Sequence, residues 1–258
     1  MTLHVHDWGA PDAPPLLCLH GVTSWGGRFR RLAEERLDAF HVFAPDLRGH
    51  GVSEWEPPWN LGTHIGDLIE TLDALHLDRV DVVGHSFGGR LALELAARWP
   101  ERVHRLVLLD PAVWVPPPVA LERADLAAED ESYTSVDDAI AVRLETSALA
   151  DRSAIAAELP QHLQLGDDGR WRGRFSRAAV VAAYGEMARR PPLDRVAAPT
   201  LLIRGRESEV VPDRMVEIVC ETMASCEIVT VPGGHIVMWD AFDETAAAML
   251  EFLEDPRA

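Results

Sequence analysis

The chain has 258 residues and a formal net charge of −18, with 42 acidic against 24 basic side chains, and it is 47% hydrophobic. A surface that acidic repels nucleic acid and anionic membrane, so neither is expected as a partner. Every one of the 24 basic residues is arginine, which excludes Schiff-base chemistry on lysine and a P-loop lysine. The length suits one large domain with a sizeable core. Three cysteines, Cys18, Cys220 and Cys226, make no disulfide framework. No stretch is long and apolar enough to span a bilayer, and Met1 to Asp7 lacks the basic and apolar regions of a signal peptide, so a cytoplasmic location is expected.

Leu3–His6 reads as a first strand, and Asp7–Pro15 as a turn-rich connection. Leu16–Leu19 is a buried strand that ends at His20-Gly21-Val22. A helix is expected over Phe29–Leu37, then a strand over His41–Ala44 followed by Asp46-Leu47-Arg48-Gly49-His50-Gly51. Leu61–Leu75 is an amphipathic helix with Ile65, Leu68, Ile69 and Leu72 on one face. Arg79–Val83 is a strand, Arg90–Arg98 a helix, and Val103–Leu109 a strand closed by Asp110-Pro111. Apolar strands alternating with helices imply an α/β protein with a mostly parallel sheet covered on both faces. Ligands in such sheets bind at the C-terminal strand ends, where each of these loops sits.

From Ala112 to Pro192 the pattern changes. Trp114–Pro118 is a rigid lead-out, Val136–Leu149, Ala154–Leu163 and Ala178–Ala188 read as helices, and Gly166–Trp171 as a turn. With no buried strand, this block is expected to be a helical lid, dividing the chain into a core of 1–111 and 193–258 and a lid of 112–192. The sheet pattern resumes with a strand over Pro199–Arg204, a helix over Asp213–Met223 and a strand over Cys226–Val231. The loop Pro232-Gly233-Gly234-His235 and a helix over Asp240–Leu253 close the chain, for a sheet of seven to eight strands.

The organising stretch is Gly84-His85-Ser86-Phe87-Gly88, a G-x-S-x-G between strand and helix. A strand that turns at once into a helix needs small residues on both sides of its apex. The apex side chain of Ser86 is then pushed outward, and the free first-turn amides of the helix point at the same place. An ordinary tight turn shares the glycine spacing, but the flanking strand, helix and Gly88-Gly89 pair favour a presented nucleophile.

With His20-Gly21, Asp46-Leu47-Arg48-Gly49-His50-Gly51, Gly84-His85-Ser86-Phe87-Gly88 and Gly233-Gly234-His235 in this order, the chain resembles the α/β-hydrolase superfamily in its lidded form along nearly its whole length. The resemblance implies Ser86 as nucleophile, His235 as general base, and an oxyanion hole from the backbone amides of Val22 and Phe87. The expected carboxylate position after the strand ending at Arg204 holds Ser208. Glu209, displaced by one residue, is placed ahead of Asp110 after the preceding strand, and Glu207 third. Trp25, Phe87, Trp114 and Trp239 adjoin these motifs and are the expected pocket walls. The implied activity is hydrolysis of a small-molecule ester through an acyl-enzyme, with no cofactor or metal. The alternatives are carbon–carbon or lactone cleavage on the same triad, and a hydrolase-fold binding protein that has lost turnover.

Overall fold

The computed structural model describes residues 2–146 and 149–255. In chain order come β1 (Val5–Trp8), β2 (Pro15–Leu19), α1 (Arg30–Glu35), β3 (His41–Pro45), α2 (Leu61–Ala74), β4 (Val80–His85), α3 (Phe87–Arg98) and β5 (Val103–Leu109). An insert follows, with α4 (Pro117–Ala128), α5 (Val136–Thr146), α6 (Arg152–His162), β6 (Leu163–Leu165), β7 (Trp171–Gly173) and α7 (Arg177–Met187). The chain then returns through β8 (Thr200–Gly205), α8 (Asp213–Thr222), β9 (Cys226–Val231), α9 (Val237–Asp240) and α10 (Phe242–Glu254). Among the described residues no helix is long and apolar enough to cross a membrane.

The main sheet has seven strands in the order β1-β3-β2-β4-β5-β8-β9. Only the β1–β3 pair is antiparallel. The switch point lies between β2 and β4, which pair directly, so their C-terminal ends and the loops that follow stand side by side. Alternation along each strand feeds two cores. Leu17, Leu19, Val82, Leu106, Leu108 and Leu202 pack under α2, α3 and α8 on one face. Leu16, Cys18, Val83, Val107, Leu109, Leu201 and Ile203 meet α1 and α10 on the other. Each fully buried leucine or isoleucine contributes about 1.5–3 kcal/mol, so register is strongly fixed where both faces are dry.

The insert is richer than its sequence pattern. The proline run that reads as a lead-out caps a full helix, with Pro117 in the first turn of α4, where its missing N–H costs nothing. The expected turn at 166–171 is the tip of the antiparallel β6–β7 hairpin. The helix expected to reach Leu149 is described to Thr146; residues 147–148 lie outside the described residues, and Leu149 is in a turn. A third apolar cluster, Ala139, Ile140, Ile155, Leu159 and Leu163, closes on Trp239 of α9 and fastens the insert to the core.

Candidate active site

Ser86 is the single residue between β4 and α3, at φ 53 and ψ −117. A non-glycine residue held there costs about 1–3 kcal/mol. The surroundings enforce it: Ser86 N donates to Leu109 O at 3.2 Å, and Ser86 O accepts from Arg90 N at 3.1 Å and Ala112 N at 3.0 Å. The glycine spacing has a measurable cause. A Cβ on Gly84 would come within 2.5 Å of Gly88 O, and one on Gly88 within 2.1 Å of Leu19 O.

His235 Nε2 lies 2.9 Å from Ser86 Oγ, and His235 Nδ1 lies 2.6 Å from Asp110 Oδ2. With Nδ1–H donated to Asp110, Nε2 presents its lone pair to the serine hydroxyl. Asp110 is buried, at φ 41, and its N donates to Ile203 O at 2.7 Å. Its Oδ1 accepts from Gly205 N at 3.0 Å, and its Oδ2 also accepts from Ser208 Oγ at 2.5 Å.

The carboxylate on His235 is therefore Asp110, not Glu209. Strands β5 and β8 are neighbours, so an acid at either C-terminal end is within reach of the same histidine. Here the turn after β8 directs Ser208 inward onto Asp110 and leaves Glu209 exposed. Glu207 serves the histidine loop instead, its Oε2 accepting from Gly233 N at 2.6 Å, while Asp240 Oδ2 accepts from Gly234 N at 2.8 Å. His85 Nε2 donates to His235 O at 3.0 Å. Burial, then the neighbouring His235, hold the His85 imidazole well below its ordinary range, which keeps it neutral.

The expected oxyanion donors flank this serine. A Cβ on Gly21 would meet Ser86 Cβ at 3.2 Å, so the loop after β2 passes close against Ser86, and Val22 is its next residue. Phe87 opens α3, where a first-turn amide has no intrahelical acceptor. Among the described residues neither amide donates to a loop or turn carbonyl. Two histidines that the motifs contain but do not explain hold this loop. His20 Nδ1 donates to Gly21 O at 2.8 Å and its Nε2 accepts from Leu47 N at 3.0 Å, while His50 Nε2 donates to Val22 O at 2.7 Å. His20 is neutral because burial, then the neighbouring His50, push it well down.

The aromatic residues divide. Trp25 is half-buried and stacks on His162 at 5.9 Å, and His162 Nε2 donates to Thr23 O at 3.2 Å, so the insert docks on the loop after β2. Trp239 is buried: its Nε1 donates to Glu158 Oε2 at 2.8 Å and the Arg28 guanidinium lies 3.9 Å over its ring. Trp114 Nε1 donates to Ala188 O at 2.9 Å, with Arg190 over its ring. The described polar and cation contacts of Trp114 run to the root of the insert, and those of Trp239 to Glu158 of the insert and Arg28 of the core. The Phe87 side chain is buried in the core against His64.

Arg90, one turn into α3, has no counterpart in the sequence reading. Its buried guanidinium pairs with Glu94 Oε1 at 3.0 Å and donates to Val113 O at 3.2 Å and Arg189 O at 2.5 Å, which are the two ends of the insert. Val115 N completes that root on Met187 O at 3.0 Å.

Residues 14–242 match the model of the alpha/beta hydrolase fold family. The chain belongs to that family. It is 35% identical to Lipase LipV of Mycobacterium tuberculosis over 254 residues, which cover 96% of this chain and 97% of that protein. It is 32% identical to 2-hydroxymuconate semialdehyde hydrolase of a Pseudomonas strain over 231 residues, 81% of this chain and 75% of that one. Among solved structures, E-2-(acetamidomethylene)succinate hydrolase superposes with a TM-score of 0.87 at 25% identity, covering 98% of this chain and 95% of that chain.

Proposed function

We propose that the protein is a serine hydrolase that cleaves carboxylic esters of small to medium acyl chain through an acyl-enzyme. The observation that carries this is the unbroken line from Ser86 Oγ to His235 Nε2 at 2.9 Å and from His235 Nδ1 to Asp110 Oδ2 at 2.6 Å. His235 takes the Ser86 proton as Oγ attacks the carbonyl carbon, and the resulting oxyanion sits against the Val22 and Phe87 amides. Asp110 steadies the imidazolium without taking its proton. Collapse expels the alcohol, which leaves with the proton from His235. Water, deprotonated by the same imidazole, then hydrolyses the acyl-enzyme and restores Ser86. Removing a single oxyanion donor of this kind costs about 10²–10³ in turnover. The 112–192 insert acts as the roof of the site, since it meets the oxyanion loop through His162 and Thr23. None of these steps calls for a cofactor, and a small ester in the cytoplasm is a fitting substrate.

Ester cleavage draws support from the lipase relative, which matches nearly end to end. A second reading, carbon–carbon hydrolysis of a vinylogous diketone, draws on the semialdehyde hydrolase relative and uses the same three side chains. A p-nitrophenyl ester series of increasing acyl length, run beside a ring-fission diketone and a fluorophosphonate label, tests both. Turnover of short and medium esters with Ser86 labelled, both lost in Ser86→Ala, is the expected result. Turnover of the diketone alone selects the second reading. Absence of labelling and of all turnover overturns both and leaves a binding protein.

A further inference from the structure

His4, just before β1, and His6 within it are two residues apart, so both imidazoles stand on one face of the edge strand. The backbone of His4 is fixed on both sides: its N donates to Ser53 Oγ at 2.9 Å, and its O accepts from Asp46 N at 2.9 Å. Asp46 is buried beneath them, with Oδ1 3.1 Å from His6 Nε2. The two imidazole rings lie 4.8 Å apart, edge to face, and one ligating atom from each of His4, His6 and Asp46 falls within 4.8 Å of the others.

We propose that His4, His6 and Asp46 form a binding site for one late first-row divalent cation, with Zn²⁺ as the reference case. Two imidazoles and one carboxylate are a donor set that suits Zn²⁺, Ni²⁺ and Co²⁺ and disfavours Mg²⁺ and Ca²⁺. With metal–ligand bonds of about 2.0–2.1 Å, adjacent ligands of a tetrahedral ion stand roughly 3.3 Å apart. The 3.1 Å between His6 and Asp46 is already close to such an edge. The ion replaces the proton between them, the imidazole carrying its hydrogen on Nδ1 instead. His4 is exposed, its ring edge-to-face on His6, and turns inward to supply the third bond.

The carboxylate is prepared for that exchange. Asp46 Oδ1 keeps its bond from Gly26 N at 2.8 Å and Oδ2 its bond from Val52 N at 2.9 Å, so losing the His6 hydrogen bond leaves both oxygens supported. The consequence is structural. A cation there clips the edge strand to the Asp46–Ser53 loop, and that loop carries His50, which holds Val22 O. The site is separate from the Ser86–His235–Asp110 line and does not depend on the reaction proposed above.

The test uses untagged full-length protein freed of metal with EDTA, titrated with ZnCl₂, NiCl₂ and CoCl₂ by calorimetry and by thermal melting. The expected result is one equivalent bound with a rise in Tm, and no comparable rise with MgCl₂. His4→Ala, at an exposed position, should melt like the parent without metal and bind at least about tenfold more weakly, the loss already seen when an outer-shell partner is removed. His4→Ala/His6→Gln should lose the Tm rise altogether, and the visible bands of the Co²⁺ form should go with it. Absence of binding by all three cations overturns the proposal. So does parent-like affinity in His4→Ala, which would place the ion on other side chains, or a Mg²⁺ effect equal to that of Zn²⁺.

Discussion

Ser208 donates its hydroxyl to Asp110 Oδ2 at 2.5 Å, on the same oxygen that takes His235 Nδ1. The residue standing where a carboxylate is expected after β8 thus supports the carboxylate supplied by β5. Asp110→Asn should lower kcat by about 10⁴, because the amide leaves the imidazole in the wrong tautomer. Glu209→Gln should stay close to the parent. Ser208→Ala should cost about tenfold, the worth of one hydrogen bond to a charged group. Steady-state kinetics on the best p-nitrophenyl ester checks all three, and a large loss in Glu209→Gln would sink the assignment.

His85 should act on kcat rather than on binding. His85→Phe keeps a buried ring but removes the donor to His235 O, freeing the loop that carries His235. A loss of roughly 3–10-fold in kcat with KM nearly unchanged is expected. A change in KM alone would show that the ring shapes the pocket instead.

Gly88→Ala should destabilise the whole domain. Its Cβ would stand 2.1 Å from Leu19 O, a rigid strand carbonyl that cannot move without disturbing the β2–β4 pairing. A loss of about 1–3 kcal/mol or more in urea unfolding is expected. Gly185→Ala, where a Cβ meets nothing within 4 Å, is the neutral or stabilising control.

Arg90→Met should cost about 3–5 kcal/mol, because Glu94 would stay buried with only the half-exposed Arg98 to pair it. Arg90→Met/Glu94→Leu should recover much of that loss. Denaturant titration of the four members of this cycle gives the coupling. Additive losses would show that the guanidinium acts mainly through its bonds to Val113 and Arg189.

Stability should fall steeply in mild acid. Burial lowers His20, His50, His64, His85 and His162, with His64 and His162 down to about 3. In the unfolded chain these imidazoles take protons below about 6.5. The unfolded state therefore binds more protons between about 6.5 and about 3, and stability declines as pH drops through that window. His64→Leu should flatten the decline by roughly 1 kcal/mol per pH unit. An unchanged slope from pH 7 to 5 would show that His64 titrates normally.

The fold and the Ser86–His235 pair are legible in the sequence because their signals are local. Glycine spacing reports a strand that doubles back, and apolar runs of strand length report a sheet wet on neither face. The carboxylate is a tertiary matter. Which of two adjacent strand ends supplies it depends on the direction of the Gly205–Ser208 turn, and Asp110-Pro111 resembles any turn former. The indole partners of Trp114 and Trp239, Ala188 O and Glu158 Oε2, are set in the same way, since proximity in sequence to a motif does not say which way an indole points. Arg90 looks like an ordinary exposed helix residue until the insert's two ends are brought over it. Helix α4 is hidden by its own prolines, which read as rigidity although they begin a helix.

That root at Arg90 has a further consequence. The carbonyls of Val113 and Arg189, on either side of the insert, accept from one guanidinium, and Val115 is bonded to Met187. A segment whose ends meet this closely behaves as a cassette: its length and internal fold can be exchanged without shifting the register of any strand in the main sheet. A transplant of the whole 113–189 insert keeps Ser86, Asp110 and His235 on their strand ends, provided the graft also supplies the partners that Thr23, Arg28 and Trp239 find in this one.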